Sequence, residues 1–96
     1  MLPYKLHLEV LIVIIESELD LHRLTVDEAT EELERYLYKA FKYRLSCVRI
    51  NHGKGTGTLR QAVHRELKRN SVVKSFRLGE YGEGGVGVTI VEMADK

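Results

Sequence analysis

The sequence predicts an α/β (α+β) two-layer sandwich, in which two helices cover one face of a mixed sheet in the order βαβαββ. Two observations carry this prediction. Apolar residues recur at helical spacing in two segments, near residues 26–43 and 59–69. Short apolar or alternating runs precede, separate and follow those segments, as strands do. Because two helices cannot cover both faces of such a sheet, we expect one face to remain open.

The N-terminal part predicts two strands. Residues 6–15 read as an extra leading strand that is apolar on both faces, so it needs a cover, either a second copy of the chain or a neighbouring region. Residues 19–22 alternate, which places Asp20 and His22 on one face. We therefore divide the chain into a leading strand or linker, 1–17, and a domain, 18–96. No apolar run is long enough to span a membrane, and we expect a cytoplasmic protein.

The next segment has a clear helix start. Thr25 and Glu28 have the spacing of a capping box, which predicts a helix from there to about Tyr43. A strand follows at residues 47–50. It contains Cys47, the single cysteine, which cannot form an internal disulfide and which we expect to be a buried, inert thiol.

The second half predicts a helix and two strands. The helix runs from Leu59 to about Arg69, with Asn70 as a left-handed terminator. The strands cover residues 72–78 and 86–92. Strands separated by a helix should pair in parallel, and the last two can form an antiparallel pair.

Between the second strand and the second helix lies a glycine loop, His52-Gly53-Lys54-Gly55-Thr56-Gly57. A glycine-rich loop that opens a helix directs unpaired N–H groups and a positive dipole end at one point, which suits a phosphate. Lys54 and Arg60 add full charges. The spacing fits neither a Walker A loop nor a dinucleotide-binding loop. The alternative is a tight strand-to-helix connection without a ligand.

Charge is unevenly distributed along the chain. Of the charged residues in segment 16–34, all are acidic except Arg23, whereas of those in segment 49–77 all are basic except Glu66. A basic surface around the glycine loop favours a polyanion such as DNA or RNA. An internally compensated, solvated surface is the alternative.

Two histidines should meet beside this loop. His22 and His52 each end a strand of a parallel pair, and such strands end at the same sheet edge, where ligands bind in open α/β sheets. With Asp20 and a phosphate cradle they would suit phosphodiester cleavage. Alternatively, either histidine only hydrogen-bonds a loop.

The sequence resembles the Smr (small MutS-related) domain. Three blocks carry the resemblance: Leu19 to His22, His52 to Gly57, and Gly84 to Val91. It is most similar to the C-terminal Smr domain of the bacterial MutS paralogue that suppresses recombination. The resemblance implies a nicking endonuclease domain of a larger MutS-type ATPase, acting on DNA or structured RNA. It also implies a fold like the C-terminal domain of translation initiation factor three.

Three functions follow as hypotheses. In the first, a nuclease, Asp20, His22 and His52 are catalytic. Phosphate would be held by Arg23, Arg49, Gly53, Lys54, Gly55, Thr56, Gly57 and Arg60. No tightly bound metal is expected, because two-metal nucleases need several carboxylates, although Mg²⁺ or Mn²⁺ could assist nicking.

The second hypothesis is a non-catalytic DNA- or rRNA-binding module for recombination suppression or rescue of stalled ribosomes. The third is self-association as a homodimer through residues 6–15. The family usually has glycine where this chain has Arg23. If that position requires positive φ, Arg23 costs about 1 kcal/mol or more.

Overall fold

The computed structural model describes residues 16–95. The leading strand and the homodimer contact predicted for residues 6–15 therefore lie outside the described residues. Six main elements form the domain, together with a short 3₁₀ turn at Gly85–Gly87: β1 (Glu18–Asp20), α1 (Val26–Lys42), β2 (Cys47–Asn51), α2 (Thr58–Arg69), β3 (Val73–Leu78) and β4 (Val88–Met93). The predicted class, two helices on a mixed four-stranded sheet, is confirmed.

The sheet has the strand order β1-β2-β4-β3. The expected parallel pairing of β1 with β2 and antiparallel pairing of β3 with β4 are both present. The expected pairing of β2 with β3 is wrong, because β4 lies between them and is antiparallel to both. Burial explains this order: Val88, Thr89 and Val91 of β4 are buried. In contrast, β3 exposes Lys74 and Arg77, as suits an edge strand.

The hydrophobic core lies between the helices and one face of the sheet. It joins fully buried aliphatic residues from both layers: Leu33, Leu37, Val48, Ile50, Val63, Leu67 and Val91. Burying each such side chain contributes roughly 1.5–3 kcal/mol. The alternation in β2 turns Cys47 to the open face, where it is exposed. The prediction of a buried thiol is therefore wrong.

Helix α1 begins at the predicted capping box and ends at Lys42, within one residue of the predicted end. The Thr25 Oγ1 accepts from the Glu28 N–H at 3.2 Å, and the Glu28 carboxylate accepts from the Thr25 N–H at 3.0 Å. After the helix, Arg44 takes the left-handed conformation, with φ of 64°. Asn70, the predicted left-handed residue after α2, is extended instead. None of the helices within residues 16–95 has the length and apolar character needed to cross a membrane.

Candidate functional site

The glycine loop is fixed at its entry by the 3₁₀ turn that precedes β4. The N–H groups of His52 and Gly53 both donate to the Gly87 carbonyl, at 3.0 and 2.9 Å. Gly53 has φ of 80°, a conformation that favours glycine. Gly87 also packs so closely on the stem of Lys54 that a Cβ there would lie 3.0 Å from the lysine Cγ. The loop therefore has one defined path between β2 and α2.

A groove of about 300 Å³ runs along this loop. It is lined by residues from the end of β1, the glycine loop and the first turn of α2: His22, His52, Gly53, Lys54, Gly55, Thr56, Gly57, Thr58, Leu59 and Arg60. The structure thus brings together the two predicted histidines and most of the predicted phosphate-binding residues. Asp20, Arg23 and Arg49 do not line the groove.

The N-terminus of α2 opens into the groove. Its N-cap residue is Gly57, with φ of 90°, and no side chain caps the helix. Of the first-turn N–H groups, that of Thr58 has a side-chain acceptor within the described residues, because it donates to Thr56 Oγ1 at 3.3 Å. The first-turn N–H groups of a helix have no intrahelical acceptor and form its positive end. Together with Arg60 and Lys54 they make this end of the groove suitable for an anion.

Asp20 stands behind His22 and orients it. The His22 Nδ1–H donates to Asp20 Oδ1 at 2.5 Å, and the backbone N–H of His22 donates to the same oxygen at 3.1 Å. The Arg23 Nε–H can only donate, and it lies 3.2 Å from His22 Nε2. These contacts place the ring proton on Nδ1 and a lone pair on Nε2. The side-chain hydrogen bond from His22 also holds the pKa of Asp20 below its usual range.

Arg23 fits its position without strain. Among the described non-glycine residues, Arg44 is the residue with positive φ, so Arg23 takes an ordinary conformation. The steric cost considered from the sequence does not arise. Instead, Arg23 lies against the ring of His22.

His52 occupies a different environment from His22. Its side chain is buried, with 3% of the residue exposed. Its Nδ1 lies 3.1 Å from the Gly53 carbonyl oxygen and its Nε2 lies 2.8 Å from Thr89 Oγ1. Burial lowers the pKa of His52, and the positive charge of Arg60 lowers it further. The hydrogen bond to Gly53 acts in the opposite direction. Both ring nitrogens are therefore engaged, and the neutral form is favoured.

The basic surface predicted around the loop is narrower than the sequence indicates. Arg49 lies on the open sheet face, where Nη1 contacts Glu18 at 2.6 Å and Nε donates to the Glu83 carbonyl at 2.9 Å. Arg69, Lys74 and Arg77 are also paired with carboxylates. Within residues 16–95, four basic residues of the predicted surface have no ion pair: Lys54, Arg60, Arg65 and Lys68. Positive charge is thus concentrated on the loop and along α2.

The described residues supply few metal ligands. Across residues 16–95, no three histidine, cysteine, aspartate or glutamate side chains are grouped so as to hold a metal ion. The residues that line the groove include no carboxylate. Asp20 does not line the groove, and its link to it is the hydrogen bond with His22.

The family model of the Smr domain matches residues 19–94. The chain belongs to the Smr domain family. This match covers the domain from β1 to the end of β4, including both histidines and the glycine loop. The resemblance read from the three sequence blocks is therefore confirmed.

Curated relatives of this Smr domain are bacterial proteins named endonuclease MutS2. The protein from Pelotomaculum thermopropionicum is 59% identical over 80 residues, which are 83% of this chain and 10% of the relative. The protein from Clostridium beijerinckii is 52% identical over 79 residues, which are 82% of this chain and 10% of the relative. The chain thus spans about a tenth of the length of these relatives.

Solved structures share the fold. The Smr domain of Thermus thermophilus MutS2 superposes with a TM-score of 0.79 at 47% identity, covering 82% of this chain and 99% of that one. YdaL, a stand-alone small MutS-related protein from Escherichia coli, gives 0.78 at 27% identity, covering 83% and 65%. The SMR domain of NEDD4-binding protein 2 gives 0.62 at 29% identity, covering 86% and 91%.

Two residues of the Smr domain that sequence reasoning missed are Thr89 and His64. The Thr89 hydroxyl lies 2.8 Å from Nε2 of both His52 and His64. A sequence signal for Thr89 exists, since alternation in β4 puts it on the core face with Val91, where a polar group needs a partner. His64 has no comparable signal, because it lies on a helix whose neighbouring positions are basic or apolar.

Proposed function

We propose that this Smr domain is a nicking endonuclease domain that cleaves phosphodiester bonds of DNA as part of a larger MutS-type ATPase. The observation that carries the proposal is the Asp20–His22 pair at the edge of a groove whose other wall is the glycine loop. A carboxylate-oriented imidazole beside an anion-binding helix start provides the two things hydrolysis of a phosphodiester needs: a proton acceptor and positive charge.

In the proposed reaction His22 acts as the general base. Its Nε2 lone pair accepts a proton from a water molecule, whose oxygen attacks phosphorus while the bond from phosphorus to the leaving oxygen breaks. The leaving oxygen then takes a proton from the solvent. Asp20 holds the Nδ1–H throughout and stabilises the imidazolium that forms. Arg23 must leave Nε2 before this step, and a bound phosphate gives its guanidinium an alternative partner.

Lys54 and Arg60 are proposed to stabilise the charge that develops on the phosphoryl oxygens, together with the N-terminus of α2. Both line the groove and have no ion pair within residues 16–95. His52 was predicted from the sequence to share proton transfer. With both ring nitrogens engaged, it is better suited to holding the loop, and we assign it that role.

A divalent metal would enter this mechanism as an auxiliary group. The Oδ2 of Asp20 has no hydrogen bond within residues 16–95, while Oδ1 accepts two hydrogen bonds from His22. Asp20 would hold a Mg²⁺ or Mn²⁺ ion, which would supply positive charge near a substrate phosphate, while the same carboxylate orients His22. We expect nicking to be modulated by Mg²⁺, with no tightly bound ion.

Two findings support a nucleic-acid partner and a parent protein. The basic residues of the 49–77 segment that have no ion pair within residues 16–95 follow the loop and α2, which suits a phosphate backbone. The relatives named endonuclease MutS2 are about ten times as long as the matched region, consistent with an ATPase region in cis. Structured RNA or the ribosome is a second substrate class with the same backbone chemistry.

A second candidate function is a non-catalytic module that docks DNA or rRNA for the parent ATPase. Two observations favour it: both ring nitrogens of His52 are engaged, and Arg23 covers the lone pair of His22. In such a module the same groove would bind phosphate without cleaving it.

The deciding experiment is nicking of supercoiled DNA beside cleavage of a structured RNA, with and without Mg²⁺. His22→Ala and Asp20→Asn should lower the single-turnover rate by about 10²–10⁴-fold while leaving the dissociation constant unchanged. Lys54→Ala should weaken binding and cleavage together, because it removes a phosphate-holding charge. Asp95→Asn is the matched control for Asp20→Asn, since Asp95 is exposed and distant in sequence from the groove.

The outcomes separate the two functions. Wild-type rates in His22→Ala would exclude His22 as the base. If no preparation cleaves either substrate, yet Lys54→Ala still weakens binding, the binding module is the function. Cleavage of RNA alone would assign the substrate and leave the mechanism as described.

A further inference from the structure

Beneath the glycine loop lies a polar trio that the proposed reaction does not use: His52, Thr89 and His64. Thr89 is fully buried and His52 is 3% exposed. The Thr89 Oγ1 lies 2.8 Å from the Nε2 of each histidine. The two rings meet edge to face, with centroids 6.0 Å apart. The trio therefore connects β2, β4 and α2 at one point under the loop.

Hydrogen-bond chemistry fixes where each proton lies. The Gly53 carbonyl can only accept, so Nδ1 of His52 carries a proton. In a neutral ring Nε2 then holds the lone pair and must accept the hydroxyl proton of Thr89. That hydroxyl has a single proton, so His64 must donate to it from its own Nε2–H. The three hydrogen bonds therefore all point the same way: His64 donates to Thr89, Thr89 donates to His52, and His52 donates to the Gly53 carbonyl.

The surroundings keep both rings neutral and in place. Burial lowers the pKa of His52 and of His64, and the positive charges of Arg60 and Lys68 lower the pKa of His64 further. The ring of Phe76 lies against His64, with centroids 5.0 Å apart and planes inclined by 48°. Each ring therefore has one tautomer compatible with all of its contacts.

We propose that Thr89 and His64 are positioning residues that lock the tautomer of His52 and thereby set the orientation of the glycine loop. The Nδ1–H of His52 holds the Gly53 carbonyl inward, against the ring. In a trans peptide the carbonyl and the next N–H point in opposite directions, so the N–H of Lys54 is directed away from the ring. In the other tautomer of His52, a lone pair would face the carbonyl and repel it.

The hydroxyl of Thr89 is the part of the side chain that matters for this role. Valine has nearly the same shape and would fill the same buried volume. It would, however, leave Nε2 of His52 and Nε2 of His64 facing a methyl group, and an unpaired buried polar group costs about 1–3 kcal/mol. Thr89 is therefore placed to pair two ring nitrogens rather than only to fill the core.

The test is nitrogen-15 NMR of the histidine rings near pH 7, which distinguishes a protonated from a bare ring nitrogen without any activity assay. We expect the protonated Nδ1 form for His52 and the protonated Nε2 form for His64. A His52 ring protonated at Nε2, or an averaged signal from both tautomers in the wild-type domain, would overturn the proposal.

Variants at Thr89 link the tautomer to the loop. Thr89→Ser keeps the hydroxyl and should keep the His52 tautomer and the amide shift of Lys54. Thr89→Val should mix the tautomers, shift that amide, and weaken binding of a short single-stranded oligonucleotide by roughly threefold to tenfold, the size of one hydrogen bond. If Thr89→Val is too unstable to study, His64→Gln and His64→Leu make the same comparison, since only glutamine retains a donor.

The results are separable from the proposed nuclease activity, although the binding part rests on the loop being the phosphate site. Tautomers and the Lys54 amide that respond as expected support the proposal even in a domain that does not cleave. A Lys54 amide unchanged in Thr89→Val and in His64→Leu would refute the link between the trio and the loop.

Discussion

Gly53 shows how a single residue shapes the site. Its φ of 80° lies in the left-handed region, and a Cβ built on it would come within 3.1 Å of the Cβ of His22. The glycine therefore allows the loop to pass directly over the histidine. Gly55, two residues on, differs on both counts. Its φ is not positive, and a Cβ there would meet nothing within 4 Å.

Gly53 and Gly55 give a matched prediction. Gly53→Ala should lower the free energy of unfolding by about 1–2 kcal/mol, because alanine is strained at positive φ. It should also weaken oligonucleotide binding, because the new methyl group displaces His22 or the loop. Gly55→Ala should leave stability unchanged within about 0.5 kcal/mol, as is usual at an open surface position. Urea unfolding and fluorescence binding on both variants make the comparison, and equal effects at the two positions would show that the close approach to His22 is unimportant.

Individual site residues were predictable to different degrees. Alternation in Leu19 to His22 was enough to place Asp20 and His22 together on one face, and they are in fact hydrogen-bonded. The burial of His52 was not predictable, because the strand pattern gives its side of the sheet but not the depth of the helices that cover it. The role of Arg49 was also hidden, since its partners Glu18 and Glu83 come from distant parts of the chain.

At the scale of elements, the sequence predicts helices and strands well and their order in the sheet less well. Periodicity and the capping box locate both helices to within about one residue, because these signals are local. The position of β4 between β2 and β3 depends on which strand tolerates burial on both faces. That choice is a property of the assembled sheet, and the connection before β4 helps to fix it.

This connection, residues 79–87, is organised by Glu83. Its carboxylate accepts two hydrogen bonds from Arg77, at 2.7 and 2.9 Å, and one from the Glu80 N–H, at 2.8 Å. Its backbone carbonyl accepts from Arg49. The Arg77 guanidinium, followed by the Glu80 N–H, lowers the pKa of Glu83 from 4.5 to about 2. One side chain thus ties the connection to β3, and its carbonyl ties it to β2.

The pKa of Glu83 gives a prediction with a defined sign. A carboxyl whose pKa is lower in the folded state stabilises the fold above its unfolded pKa, and this stability is lost as pH falls through the folded value. The free energy of unfolding of the wild type should therefore exceed that of Glu83→Gln near pH 7. The difference should shrink as the pH falls from about 4.5 towards about 2.

Urea unfolding at several pH values measures this difference. Glu80→Gln is the control, because it lies in the same connection and removes the same charge while leaving the bonds of the Glu83 carboxylate in place. A wild-type advantage over Glu83→Gln that is constant across pH 7 to 3 would contradict the prediction.

At the scale of the whole molecule, the distribution of unpaired basic residues within residues 16–95 determines where a polyanion would bind. The net charge is +1, yet the ion pairs of Arg49, Arg69, Lys74 and Arg77 remove these residues from the positive surface. Among the basic residues of the 49–77 segment, those without an ion pair within residues 16–95 lie on the glycine loop and α2. The sequence predicted a basic region, but it could not show that Arg49, Lys74 and Arg77 are neutralised, because their partners lie on other elements.

Lys68 and Lys74 allow this distribution to be tested. Lys68 is exposed on α2, near enough to His64 to lower the pKa of that ring, and has no ion pair within residues 16–95. Lys74 is on the edge strand β3, with its Nζ 3.6 Å from Glu92. Substituting either lysine by glutamine changes the net charge of the domain equally, so a general field effect would be the same in both variants.

We predict that Lys68→Gln weakens DNA binding and lowers the slope of log affinity against log salt concentration by about 0.9 for duplex DNA, the value for one lost phosphate contact. Lys74→Gln should leave that slope unchanged, because its charge is already paired. Neither variant should alter any preference for sequence, since phosphate contacts carry no base information. Fluorescence anisotropy with one duplex across a range of salt concentrations measures both slopes. Equal slopes for the two variants would mean that affinity depends only on the net charge of the domain. In that case Lys68 on α2 would not contact the DNA.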